Sequence, residues 1–138
     1  MLKRLRRLAQ RRRQARGSAE VDELLNVARA SFVQMQAAWD RADLKALGSL
    51  ATGPLLEELR SQLQERGSAR NHTEVVSLQA RLLSIDDLRE AQVASVEFSG
   101  LIQEDPAGHA APFRELWLLA NVKSAGQGWK LARVQALA

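Results

Sequence analysis

Residues 74–84, EVVSLQARLLS, break the pattern of everything before them. Val76, Leu78, Ala80 and Leu82 alternate with Ser77, Gln79 and Arg81, so an apolar side chain recurs at every second position. A period of two belongs to a strand with one buried face, whereas apolar spacings of three and four belong to a helix. This stretch therefore divides the sequence into a helical first part and a stranded second part.

Downstream the alternation continues. In AQVASVEFSGLIQ (91–103), Ala94, Val96, Phe98 and Ile102 oppose Ser95, Glu97 and Ser99. PFRELWLLANVK (112–123) and GWKLARVQAL (128–137) predict two more strands, joined by the turn-forming SAGQG. Asp86 and Asp87 are expected in the turn between the first two strands. The third strand is apolar on both faces: Leu116, Leu118, Ala120 and Val122 form one, and Phe113, Trp117 and Leu119 crowd the other beside Glu115. Such a strand is central, or has a second layer on its outer face. The candidates for that layer are the N-terminal arm, the long N-terminal helix, a second copy in a homodimer, or another protein partner.

Upstream, Val21, Leu24, Leu25, Ala28, Phe32, Met35 and Trp39 fall at spacings of three and four, which predicts a long amphipathic helix. Asp40 and Asp43 follow Trp39 immediately. A short carboxylate accepts the orphan amide hydrogens of a following helical turn, so Asp43 is expected to cap the turn at LKAL, with Trp39 as a core anchor at the corner. TGPLLEELRSQLQERG (52–67) predicts a further helix, with Thr52 or Gly53 at its cap, Pro54 in its first turn and Gly67 at its stop. Helices first and strands after predict an α+β domain: N-terminal helices packed on a curved, mostly antiparallel four-stranded sheet.

The 138 residues suffice for one domain with a single core. No apolar run approaches the roughly 18 to 20 residues of a membrane-spanning helix. The basic start lacks the apolar stretch of a secretion signal, so none is expected. The net charge of +4 is unevenly distributed. Lys3, Arg4, Arg6, Arg7, Arg11, Arg12, Arg13 and Arg16 stand among the first 16 residues with no acid, while the other 122 hold 12 basic and 16 acidic side chains. A basic arm of +8, residues 1–17 with Gly17-Ser18 as its boundary, thus precedes a domain of −4, residues 18–138. Basic terminal arms meet anionic partners, nucleic acid or lipid.

Chemistry-bearing motifs are few. His72 and His109 stand in loop contexts without a ligand-spaced partner, so neither a metal nor a cofactor is expected. There is no glycine-rich phosphate cradle and no serine elbow, and no catalytic residue is assigned. Glu115, in an otherwise apolar strand, is the carboxylate of interest; pairing with Arg114, Lys130 or Arg133 is expected to neutralise it. Phe32, Met35, Trp39, Leu55, Leu59, Phe98, Leu118 and Trp129 either line an apolar pocket for a lipid tail or hydrophobic peptide, or fill a solid core.

Six segments carry a resemblance to a known family: FVQMQAAWDRADLKAL, LLEELRSQLQERG, EVVSLQARLL, ASVEFSGLIQED, ELWLL and GWKLARVQAL. In this order and spacing the chain from about Glu20 to Ala138 resembles the Tim44-like domain, the C-terminal domain of the import-motor anchor of the mitochondrial inner-membrane translocase, which has bacterial relatives. The resemblance implies a cone like that of nuclear transport factor 2, with helices on a curved sheet around an apolar pocket. It also implies residence at the inner membrane and contact with anionic lipid such as cardiolipin.

The leading expectation is a non-enzymatic module, peripheral on the cytoplasmic face of the inner membrane, whose arm binds anionic phospholipid. Helical spacing would set Leu2, Leu5, Leu8 and Ala9 in a strip beside the arginines. The alternative is a cytoplasmic adaptor whose arm binds RNA, although the arm contains no aromatic residue to stack on bases. An enzyme in the cone pocket comes last, on fold analogy alone.

Overall fold

A computed structural model describes the backbone of residues 2–67 and 72–137, and the side chains of residues 17, 19–67 and 72–137. Three helices precede four strands: α1 Leu2–Asp40, α2 Leu44–Leu50, α3 Gly53–Arg66, β1 Glu74–Asp87, β2 Ala91–Gln103, β3 Ala111–Val122 and β4 Trp129–Ala136. The strands form an antiparallel sheet in the order β1-β2-β3-β4, so β3 is a central strand, as its two apolar faces predict.

The helices cover one face of this sheet. Leu24, Ala28, Phe32, Met35 and Ala38 of α1 are buried together with Leu47, Ala51 and Leu55 against Ala94, Val96, Phe98, Trp117, Leu119 and Leu131. At the centre, Phe32 lies 4.9 Å from Phe98, 5.4 Å from Phe113 and 5.1 Å from Trp117, centroid to centroid. Phe98 meets Trp117 edge to face at 4.9 Å. Aromatic pairs at these separations add to the burial of their own area. The middle of the sheet is therefore filled.

Three expectations need correction. The helix predicted from Val21 starts earlier and runs unbroken from Leu2 through Gly17-Ser18, because nothing there removes a backbone donor as proline would. Asp86 and Asp87 belong to β1, and the turn that follows is closed by Leu88 N–H donating to Ala91 O at 2.9 Å. Val76 is half exposed, and Val75 packs on the core in its place. The cause is a bulge between Val75 and Ser77, which shifts the alternation by one residue.

The corner after α1 accounts for the two aspartates. Asp43 N–H donates to Ala38 O at 2.9 Å and Ala42 N–H to Trp39 O at 3.0 Å, with Ala42 in the left-handed region at φ 53°. This pair of bonds closes a Schellman-type helix end. Asp43 caps α2 as expected: its Oδ1 accepts Ala46 N–H at 3.0 Å. Asp40 has a different task, since its carboxylate accepts Thr73 N–H at 2.7 Å and Thr73 Oγ1–H at 3.2 Å, clasping the end of α1 to the residue before β1.

Candidate functional site

The side chains of Lys3, Arg4, Arg6, Arg7, Arg11, Arg12, Arg13 and Arg16 lie outside the described residues; their backbone belongs to the first turns of α1. The eight expected pocket residues do not form one cavity. Phe32 and Phe98 are sealed within the aromatic cluster, at 1% and 0% exposure. Met35, Trp39, Leu55 and Leu59 do come together, along a cleft of about 320 Å³ between α1, α3 and the β3–β4 pair. Trp129 lines a second cleft of about 220 Å³, with Glu20, Glu23, Leu24, Val27, Ile85 and Gln92.

Leu118 requires a correction. The β2–β3 register sets Trp117 opposite Val96 and Leu119 opposite Ala94, both buried, while Leu118 faces Ser95 and Leu116 faces Glu97. Directly opposed residues share a face, so Leu118 and Leu116 stand on the outer side, away from the helices. On that side Glu97 Oε2 lies 3.5 Å from Arg81 and 3.3 Å from Arg114.

The larger cleft is completed by Gln36, Glu58, Gln62, Glu115, Trp117 and Val134. Alternation along β3 turns Glu115 and Trp117 toward the helices, and the β3–β4 register brings Val134 opposite Trp117. Glu115 thus sits on the core face, opposite Phe98. A carboxylate there needs a donor, and Trp117 supplies it: its Nε1–H donates to Glu115 Oε2 at 2.9 Å. Of the expected partners Arg114 pairs with Glu97 instead, and no ion pair to Glu115 forms among the described residues. Trp39 is half buried rather than a sealed anchor, and its ring carries the Arg66 guanidinium 5.2 Å from its centroid. Arg66 also donates from Nη1–H to Trp39 O at 2.7 Å.

The cleft thus combines apolar walls, two indoles and two carboxylates, a set suited to holding a ligand by contact and charge. Glu58, Gln36 and Gln62 belong to no motif of the sequence. Each adjoins or follows an apolar stripe residue, so a helical projection contained the signal.

Known proteins share this architecture. The intermembrane-space region of the chloroplast protein ARC6 matches with a TM-score of 0.55 at 14% identity, over 82% of this chain and 95% of that one. A nuclear transport factor 2-like superfamily protein from Salmonella enterica serovar Typhimurium matches with a TM-score of 0.51 at 12% identity, over 86% of this chain and 92% of that one. Among curated proteins nothing matches the sequence. The family model described as the Tim44-like domain matches residues 7–136.

Proposed function

The chain belongs to the Tim44-like domain family, and from that premise we propose that it is a non-enzymatic binding module held peripherally at an anionic membrane surface. Its basic arm makes the lipid contact, on the cytoplasmic face of the inner membrane, and its domain meets proteins being translocated or assembled there. The observation that carries this proposal is the charge split, eight basic residues and no acid in residues 1–16 against a domain of −4. Each basic residue near an anionic bilayer contributes on the order of 1 kcal/mol, so eight suffice without deep insertion. Because α1 continues from the arm into the core without a break, a bound arm would also orient the domain.

Co-sedimentation with vesicles tests this. The protein is expected to pellet with vesicles containing cardiolipin or phosphatidylglycerol and to stay in solution with neutral ones. Added salt should release it, because exposed charges are screened over about 10 Å at 0.1 M. Deleting residues 1–16 removes the arm and spares the core, whose first buried residue is Leu24 among those described; the truncated protein should remain folded and unbound. Equal binding by the truncated protein overturns the proposal, and tighter binding to RNA than to lipid moves the arm's ligand to nucleic acid.

A further inference from the structure

We infer that the cleft between α1, α3 and the β3–β4 pair is a receptor for a cationic side chain, arginine or lysine, presented by an apolar peptide segment of a partner protein. This site lies on the domain, apart from the arm, and does not depend on lipid binding.

The charge of the cleft points to the ligand. Of its ten lining residues Glu58 and Glu115 are acids and none is basic. Glu115 stands on the helix-covered face of the sheet, and its hydrogen bond comes from an indole N–H, which is neutral. Its negative charge is therefore solvated in part, and no cation pairs with it among the described residues. Burying a carboxylate is costly unless a cation meets it, and a guanidinium or ammonium group entering the cleft provides one. A lipid tail in the same place would bury that charge against hydrocarbon.

The walls fit the rest of such a ligand. Half-buried Trp39 offers an indole surface, on which cations are attracted by the ring quadrupole. Arg66 already demonstrates this on Trp39, with its guanidinium over the ring; it is held there by the Trp39 carbonyl and is not among the cleft's lining residues. Met35 and Trp39 on α1, and Leu55, Leu59 and Gln62 on α3, line two sides at spacings of four and three. A groove between two helices, lined at those intervals, seats an amphipathic segment through its apolar anchors. The domain's charge of −4 favours a basic partner over an acidic one.

The test uses the full chain and a fluorescein-labelled helical peptide of leucine and arginine, beside the same peptide with citrulline, the neutral isostere, in place of arginine. Anisotropy should show saturable binding of the arginine peptide and at least about tenfold weaker binding of the citrulline one, as expected for loss of a charge-assisted contact. Glu115→Gln keeps an acceptor for Trp117 Nε1–H, so it should melt as the wild type does yet bind about tenfold more weakly. Glu58→Gln should weaken binding less, and Glu23→Gln, in the other cleft, should leave it unchanged. Equal binding of the two peptides overturns the proposal without any variant. So does unaltered binding by Glu115→Gln, or arginine ethyl ester binding as tightly as the peptide.

Discussion

Trp117 donates its indole N–H to the carboxylate of Glu115, two residues earlier on the same strand, at 2.9 Å. The bond lets a carboxylate occupy the core face of the sheet. It also commits the indole N–H of a residue that is otherwise sealed, at 1% exposure. Each group is the other's partner, so removing one should cost more than removing both. Trp117→Phe is expected to destabilise by about 2 to 4 kcal/mol, combining lost packing with a stranded carboxylate. Glu115→Leu added to that variant should recover about 1 kcal/mol, because it removes the stranded group. Urea denaturation of the two single variants and the double gives the coupling energy, and simple additivity would mean the bond contributes nothing.

Asp40 binds the backbone N–H and the hydroxyl of Thr73, 33 residues away. Hydrogen bonds to an ionised group are stronger than neutral ones, and Asp40→Ala is expected to cost about 1 to 2 kcal/mol. Thr73→Val removes only the 3.2 Å bond and should cost less. Chemical denaturation ranks the two, and the reverse order would place the clasp's strength in the hydroxyl.

Asp43 is held below its ordinary value of 3.8, first by the N–H of Ala46 and then by the Arg41 guanidinium, 3.2 Å away. A lowered folded-state value means that the contribution to stability is present above pH 3.8 and is lost as the pH falls through the folded value. Asparagine also caps helices but does not titrate there. As the pH falls below 3.8 the wild type should therefore lose more stability than Asp43→Asn, measured as thermal midpoints across the series. Parallel curves would remove Asp43 from the acid response.

The architecture was legible because its signals are periodic. The shift at residues 74–84 separated helices from strands, and the two-sided pattern around Trp117 marked β3 as central. The failures are local. Val76 read as inward because alternation carries no sign of a bulge, and the exchange with Val75 depends on how β1 meets β2. Leu118 and Trp117 are both large and apolar, and only pairing with buried Val96 and Ala94 decides which face turns in. Glu115 stands out in the sequence, but charge pairing points to bases, whereas the indole two residues away follows from strand alternation. Asp40 was a neighbour of Trp39 in sequence, and its long-range clasp to Thr73 has no local signature. The cleft mixes residues from α1, α3, β3 and β4, so its outline needed the tertiary fold.

Gly100 explains how β1 and β2 come together where β1 bulges. It pairs with Leu78 at φ 152°, and a Cβ there would stand 2.1 Å from Ser77 O and 2.8 Å from Ser77 C. Both are backbone atoms, so no rotamer change relieves the overlap. Only glycine permits this approach, which also places Ser77 Oγ to accept Leu101 N–H at 3.1 Å. Gly100→Ala must push the strands apart next to the bulge that selects Val75 over Val76. It is expected to cost about 3 kcal/mol or more, beyond the usual range for a surface substitution. Gly126→Ala, with open space around its own Cβ position, should cost about 1 kcal/mol through its φ of 61° alone. Hydrogen exchange across β1 and β2 separates the effects: Gly100→Ala should lose protection at Leu78 and Leu101, whereas Gly126→Ala should leave both protected. Similar costs for the two alanines, with protection at Leu78 intact, would show that the strands absorb a Cβ at position 100.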